Sequence, residues 1–222
     1  PSKIVDITIQ NGVKKIKKRK RTQLLLGFLV GMFIAFAAYS GTMAMHSVES
    51  AGPARVLGGA LFIVVLCFLS GLWDTSGGLL GAYTIKTALT KATLSPVSAL
   101  ASGILCNILV CGSILVMTMS TDMTGKIWGI FFTIMAFVVC GFEHSVANMY
   151  YLLAGLFAKL NPEYIEMAKT AYGLTNEQLN SLNIWTCLES TFYVSVGNMI
   201  GGMFFVSAIF FIIFRKLEKP DH

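Results

Sequence analysis

Five long stretches of the chain are almost free of charge: Leu24–Met45, Val56–Trp73, Val97–Thr121, Ile127–Ala158 and Ser190–Phe214, the fourth interrupted by Glu143 and His144. A helix crossing the hydrocarbon core of a bilayer needs roughly 20 apolar residues, so stretches of this length constrain the fold more than anything else in the sequence. The whole chain agrees with them. Of its 222 residues 55% are hydrophobic and 13% charged. Soluble domains keep about a quarter of their residues charged, so a chain at half that level cannot coat its own surface. The soluble Rossmann and barrel enzymes are excluded. The expectation is an all-α integral membrane protein, with residues 1–222 forming a single transmembrane domain and no soluble unit between the spans.

A net charge of +6 raises the question of nucleic acid, but seven of the 17 basic residues sit together in Lys14–Arg21 (KKIKKRKR), just before the first apolar stretch. Placed there, the cluster is a cytoplasmic anchor on anionic headgroups, and no nucleic-acid partner is expected. Residues 1–21 are therefore a basic cytoplasmic segment. Val5, Ile9, Val13 and Ile16 fit a surface helix, whereas Val5, Ile7 and Ile9 alternating with Asp6 and Thr8 fit a strand; both readings stand. Arg215, Lys216 and Lys219 put the C-terminus on the same side. Two termini inside require an even number of crossings, and five stretches are odd. A crossing is hidden, or part of one is absent.

The fourth stretch is too short for two full spans and long for one, so it reads as one crossing made of two pieces, broken near Gly141-Phe-Glu-His-Ser145. Broken helices at membrane depth are tolerated where they line protein or a water-filled path. An ionisable side chain there costs about 2.5–3.5 kcal/mol, so Glu143 and His144 must be satisfied by partners or by a transported solute. If the second piece is helical, His144, Asn148 and Tyr151 share a face, and Phe, His and Asn would line one path. Asn107 and Asn198 interrupt the third and fifth stretches, and a lone Asn there is commonly glue between helices. Gly27 and Gly31, and Gly197 and Gly201, have the spacing that lets helix backbones approach.

Lys86 and Lys91 follow the glycine-rich Gly77–Gly81, where a lysine at a pore mouth would concentrate anions. Lys159–Glu189 is the longest polar segment, with four Glu against two Lys, and is expected to form a helical cap over a mouth. The five cysteines are odd in number and read as free thiols; no CxxC, P-loop or paired catalytic carboxylates occur. No metal site, cofactor or enzymatic activity is expected.

At GFEHSVANMYY (Gly141–Tyr151), GILCNILVC (Gly103–Cys111) and VGNMIGG (Val196–Gly202) the chain resembles the formate/nitrite transporter family, with support from HSVESAG (His46–Gly52), LGGALF (Leu57–Phe62) and SGGLLGAYTIKTALTKATLS (Ser76–Ser95). The resemblance implies a homopentamer of aquaporin-like six-helix protomers, each an inverted repeat with a broken helix in either half, in the cytoplasmic membrane of a prokaryote with both termini cytoplasmic. Carried over by motif, His144 is the central pore histidine, Phe137 the aromatic constriction beside it and Val110 a constriction toward the cytoplasm. Lys91 is the vestibule lysine and Asn198 the last helix's asparagine on the path, while Asn107, Glu143 and Asn148 form the supporting polar network.

One departure is large. After Leu57–Phe62 the family carries the rest of a second helix, a loop with a Leu-Phe-Thr-Gly type motif and the start of a third. Here Phe62 runs straight into Ile63–Trp73, which resembles the end of that third helix. A gap at 62/63 would remove most of one broken helix and account for the odd count. The implied function is passage of small monovalent anions: hydrosulfide, to which Trp73–Pro96 leans, or formate or nitrite. The competing reading is an aquaporin-like channel for neutral solutes.

Overall fold

The computed structural model describes the backbone of residues 53–216 and the side chains of residues 60–212. The basic segment 1–21, the stretch Leu24–Met45 with its Gly27/Gly31 pair, and His46–Gly52 lie outside those residues. The described chain is helical: α1 (Pro53–Leu69), a 3-10 turn (Leu72–Asp74), α2 (Leu79–Ala92), α3 (Pro96–Met119), α4 (Met123–Val139), α5 (Ser145–Ala158), α6 (Pro162–Tyr172), α7 (Asn176–Ser181), α8 (Ile184–Ile200), a π-helical segment (Gly201–Ala208) and α9 (Ile209–Lys216).

The third stretch forms α3, started by Ser95, whose hydroxyl accepts the Ser98 N–H, with Pro96 in the first turn. Its 24 residues span about 36 Å at 1.5 Å per residue, enough for a bilayer core. A three-residue turn reverses the chain into α4. Asp122 caps α4 by accepting the Gly125 N–H at 2.8 Å, and that bond holds its carboxyl below the usual range. The last stretch begins earlier than expected: α8 starts at Ile184 and continues through the π-helical segment, an apolar helix running to Ile212. Val56–Trp73 is one continuous helix only to Leu69, where Gly71 at φ +66° turns the chain; Phe62 and Ile63 sit inside α1 with no break between them.

α3 and α8 touch backbone to backbone. A Cβ on Gly197 would lie 2.3 Å from the Leu100 carbonyl, one on Gly201 2.3 Å from that of Ile104, and one on Gly103 2.7 Å from that of Val194. The Gly197/Gly201 spacing noted in the sequence is thus used, with Gly103 as its counterpart. The buried apolar core lies elsewhere, where α1, α2, α5 and the α6–α7 segment meet, and includes Ile63, Val64, Trp73, Ile85, Leu152 and Leu182. By contrast α4, α8 and the π-helical segment leave Trp128, Phe131, Phe132, Phe192, Met199 and Phe204 exposed, as helices facing lipid or other protomers do.

The polar segment after Lys159, expected to be helical, folds as two short helices, α6 and α7, and Ile184–Glu189 belongs to α8. It is pinned at several points. Lys159 donates to the carbonyls of Leu179 and Leu182 at 2.6 and 2.8 Å. The Tyr164 hydroxyl donates to Asp74, and its ring fills the space that side chains at Gly78 and Gly81 would occupy. Burial, with the hydrogen bond to the Asp74 carboxylate, pushes the Tyr164 phenol up to about 12.

Candidate functional site

The fourth stretch breaks where the sequence indicated. α4 ends in a Schellman motif: Gly141 adopts φ +68°, its N–H donates to the Val138 carbonyl, and the Phe142 N–H reaches back to Phe137, both at 3.0 Å. α5 restarts three residues later, capped by His144. The imidazole Nδ1 accepts the N–H groups of Val146 and Ala147 at 3.2 and 3.4 Å. A nitrogen that accepts carries no proton, so the geometry assigns the proton of the neutral ring to Nε2, which becomes its hydrogen-bond donor. The His144 and Phe137 rings lie 5.9 Å apart between centroids, tilted by 35°, and both residues are half-buried. An aromatic ring and one N–H donor thus meet at a break in a transmembrane helix.

The four residues from Gly141 to His144 are held from three sides. The Glu143 N–H donates to Ser102 Oγ of α3 at 2.9 Å. Its carboxylate takes both oxygens to Lys91 Nζ, at 2.9 and 3.0 Å, and accepts Asn148 Nδ2 at 2.6 Å. Asn198 of α8 completes the clamp: Nδ2 donates to the carbonyls of Gly103 and Glu143 at 2.9 and 3.0 Å, and Oδ1 accepts the Ser145 N–H at 2.9 Å. Asn107 Nδ2 donates to the Asn198 carbonyl at 2.7 Å, just ahead of the π-helical segment. In a continuous α-helix that carbonyl would serve the N–H four residues on, so the change of winding and the side-chain bond belong together.

Hydrogen bonds connect Glu143 to Asn148 and Lys91 directly, and to Asn107 through Asn198. Asn198, expected on the path, is 5% exposed, and both its amide hydrogens and its Oδ1 are committed to backbone groups. Asn148 does not share an open face with His144; it is fully buried, and its Oδ1 is an acceptor without a donor among the described residues. An acceptor beside a carboxylate repels an anion. Lys91 does not stand as a bare cation, because the Glu143 carboxylate balances its charge at contact distance, and its ammonium lies 5.2 Å from the Tyr151 ring centre. Val110 is half-buried on α3, one turn beyond Asn107, and no described bond links it to His144.

Two members of the network escaped the sequence reading. Ser102 supports the break directly, and Ser190 Oγ donates to the Lys91 carbonyl at 2.7 Å, satisfying an end of α2. A serine inside an apolar helix carries no signal of which carbonyl or N–H it serves. Among the described residues no cluster of three or more His, Cys, Asp or Glu could hold a metal ion.

Comparison with known proteins places these helices. Residues 54–212 match the family model described as formate/nitrite transporter. The chain is 28% identical to the uncharacterized transporter YrhG of Bacillus subtilis (strain 168), across 99% of this chain and 95% of that one. It is 31% identical to the formate channel FocA of Escherichia coli (strain K12) over 74% of this chain, a match that spans only 56% of FocA. Among solved structures, one described as a pentameric formate channel with formate bound superposes with a TM-score of 0.65 at 22% identity, over 87% of this chain and 84% of that one. These relatives are transporters and channels, not enzymes. The chain is a member of the formate/nitrite transporter family, an integral membrane transport protein of all-helical channel fold.

Proposed function

We propose that the protein passes small monovalent anions across the cell membrane at the break between α4 and α5, with His144 Nε2–H as donor and Phe137 as the apolar wall beside it. The observation that carries this reading is the cap geometry: Nδ1 is occupied by two backbone N–H groups, leaving one aimed donor next to an aromatic ring. A single donor in a narrow apolar passage accepts a small anion that has shed part of its water and disfavours larger or strongly hydrated ones. Transient sharing of a proton between the imidazole and the anion follows from the same contact. Val110 forms a second apolar constriction further along α3.

Formate comes first among candidate substrates, because it is the anion named for FocA and for the superposed channel. Nitrite is second, from the family description. Hydrosulfide rests on the Trp73–Pro96 stretch alone. The exposed aromatic and aliphatic faces of α4 and α8 fit burial in a homopentamer, and the basic residues of Lys14–Arg21 and Arg215–Lys219 favour cytoplasmic termini.

Reconstitution into liposomes tests the reading. Uptake of labelled formate, competed by nitrite or hydrosulfide and exceeding protein-free vesicles, is the expected result. Glycerol and water permeation without anion uptake would favour the neutral-solute channel instead.

A further inference from the structure

We infer that Lys86, held across the ring of Tyr172, is the cation that captures the anion at the α2–α6 end of the protein; the inference rests on the anion-transport reading above. From this end to the helix break behind it, Asp74, Glu143, Glu163, Glu166, Glu177 and Glu189 outnumber the four lysines Lys86, Lys91, Lys159 and Lys169. Such a surface repels anions unless some positive charge stands clear of its neighbours.

Three of the four lysines are committed. Lys91 is bound by both oxygens of Glu143. Lys169 pairs with Glu166 at 2.7 Å. Lys159 is turned onto the carbonyls of Leu179 and Leu182. Lys86 is exposed, and among the described residues no carboxylate lies within ion-pair distance of it. Its ammonium sits 4.6 Å from the centre of the Tyr172 ring, an arrangement that orients the charge without cancelling it. Tyr83, one turn before Lys86 on the exposed side of α2, packs against the same Tyr172 with ring centroids 6.2 Å apart, which holds the Tyr172 ring in place.

One turn and a half further along α2, Lys91 lies 5.2 Å from the Tyr151 ring and pairs with Glu143 at the helix break. An anion gathered at Lys86 on the same helix passes on toward the break, past a lysine whose charge is already balanced. Lys86 is on this account a capture residue that sets the effective concentration at the mouth, with no part in the dry passage at His144.

The test measures initial formate uptake against formate concentration in phosphatidylcholine proteoliposomes, for wild type, Lys86→Gln, Lys86→Glu and Lys86→Arg, at about 20 and about 300 mM ionic strength. Lys86→Gln is expected to raise the half-saturating concentration about three- to tenfold at low salt with the maximal rate kept, and to flatten the salt dependence. Lys86→Glu exaggerates both effects, and Lys86→Arg restores wild-type behaviour. A Lys86→Gln curve that overlays a formate-conducting wild type at both salts overturns the inference and leaves the transport reading intact. A wild type that carries neither formate, nitrite nor hydrosulfide overturns both. Because Lys86 is exposed, the variants retain the fold, which their melting in detergent verifies; if Lys86→Gln alone misfolds, the Lys86→Glu and Lys86→Arg pair decides by the same criteria.

Discussion

Asn198 Oδ1 accepts the backbone N–H of Ser145 at 2.9 Å, joining the last helix to the first turn of α5. Through this bond and its two donated partners, one buried side chain ties the α5 side of the helix break that carries His144 to α3 and α8. Replacing Asn198 by Leu leaves the Ser145 N–H and the carbonyls of Gly103 and Glu143 without it, each loss costing about 1–3 kcal/mol where no water enters. We expect a clearly lower melting temperature in detergent and reduced formate uptake. Asn198→Asp, which keeps the acceptor and loses the donors, should still fall below wild type in both. Unchanged melting for Asn198→Leu would contradict the clamp.

Lys91 and Glu143 form a pair whose side chains are 18% and 7% exposed. Removing one member of a buried pair strands the other, at a cost of about 3–5 kcal/mol, whereas replacing both with apolar groups is much better tolerated. Lys91→Met and Glu143→Gln should each destabilise the folded protein strongly. The double variant Lys91→Met/Glu143→Met should recover part of the loss. Additive losses in this double-mutant cycle, read by fluorescence-detected size exclusion after heating, would argue against coupling.

The close approach of α3 and α8 makes a steric prediction. A Cβ at Gly197 would fall 2.3 Å from the Leu100 carbonyl, a backbone atom that cannot swing aside. Gly197→Ala should lower stability by more than the about 1 kcal/mol typical of a point mutation, and Gly197→Leu should abolish recovery of folded protein. Gly112, where an added Cβ meets nothing within 4 Å, is the control: Gly112→Ala should be near neutral.

Much of this fold was legible because membrane-spanning helices announce themselves by length and lack of charge, and α3 and the α4–α5 break fall where the sequence placed them. Gly141 followed by two ionisable residues marked the interruption, since nothing else in an apolar run explains them. What the sequence hid were partners. Asn198 and Asn148 look alike as isolated polar residues in apolar helices. Only the packing of α8 on α3 turns Asn198 into a backbone clamp, and only the turn at His144 swings Asn148 toward Glu143. Lys91 read as a free cation because its counter-charge lies 52 residues away. Serines 102 and 190 gave no signal, their hydroxyls being silent until a neighbouring helix supplies the other half of the bond.

The gap expected between Phe62 and Ile63 has its own test. The alignment with YrhG runs over 273 positions while covering 99% of a 222-residue chain, so about fifty of its positions have no counterpart here. We propose that they fall at Phe62/Ile63, inside α1, where the second and third helices of the family meet in one. Intact-mass spectrometry of the protein purified from its native source should give a value well above 24.1 kDa, with the additional peptides mapping between these two residues. A mass matching the 222 residues would place the shortening in the protein itself.

Tyr164 ties the α6 helix to the 3-10 turn through Asp74. With its phenol pushed up to about 12 from an ordinary 10, the folded state favours the protonated ring. Its stabilising contribution is therefore complete below about pH 10 and is lost as pH rises through about 12. In urea titrations of detergent-solubilised protein, wild type should lose more stability than Tyr164→Phe over that interval, and equal losses would contradict the assignment.

The central claim is that His144 meets the transported anion, and formate uptake by His144→Asn proteoliposomes across a pH series tests it most directly. Asparagine keeps an amide able to cap α5 but removes the imidazole and its exchangeable ring proton. The account predicts that the variant folds, that its uptake loses the pH dependence of the wild type, and that its preference among formate, nitrite and hydrosulfide changes. A His144→Asn protein whose rate, pH profile and selectivity coincide with those of the wild type would contradict it.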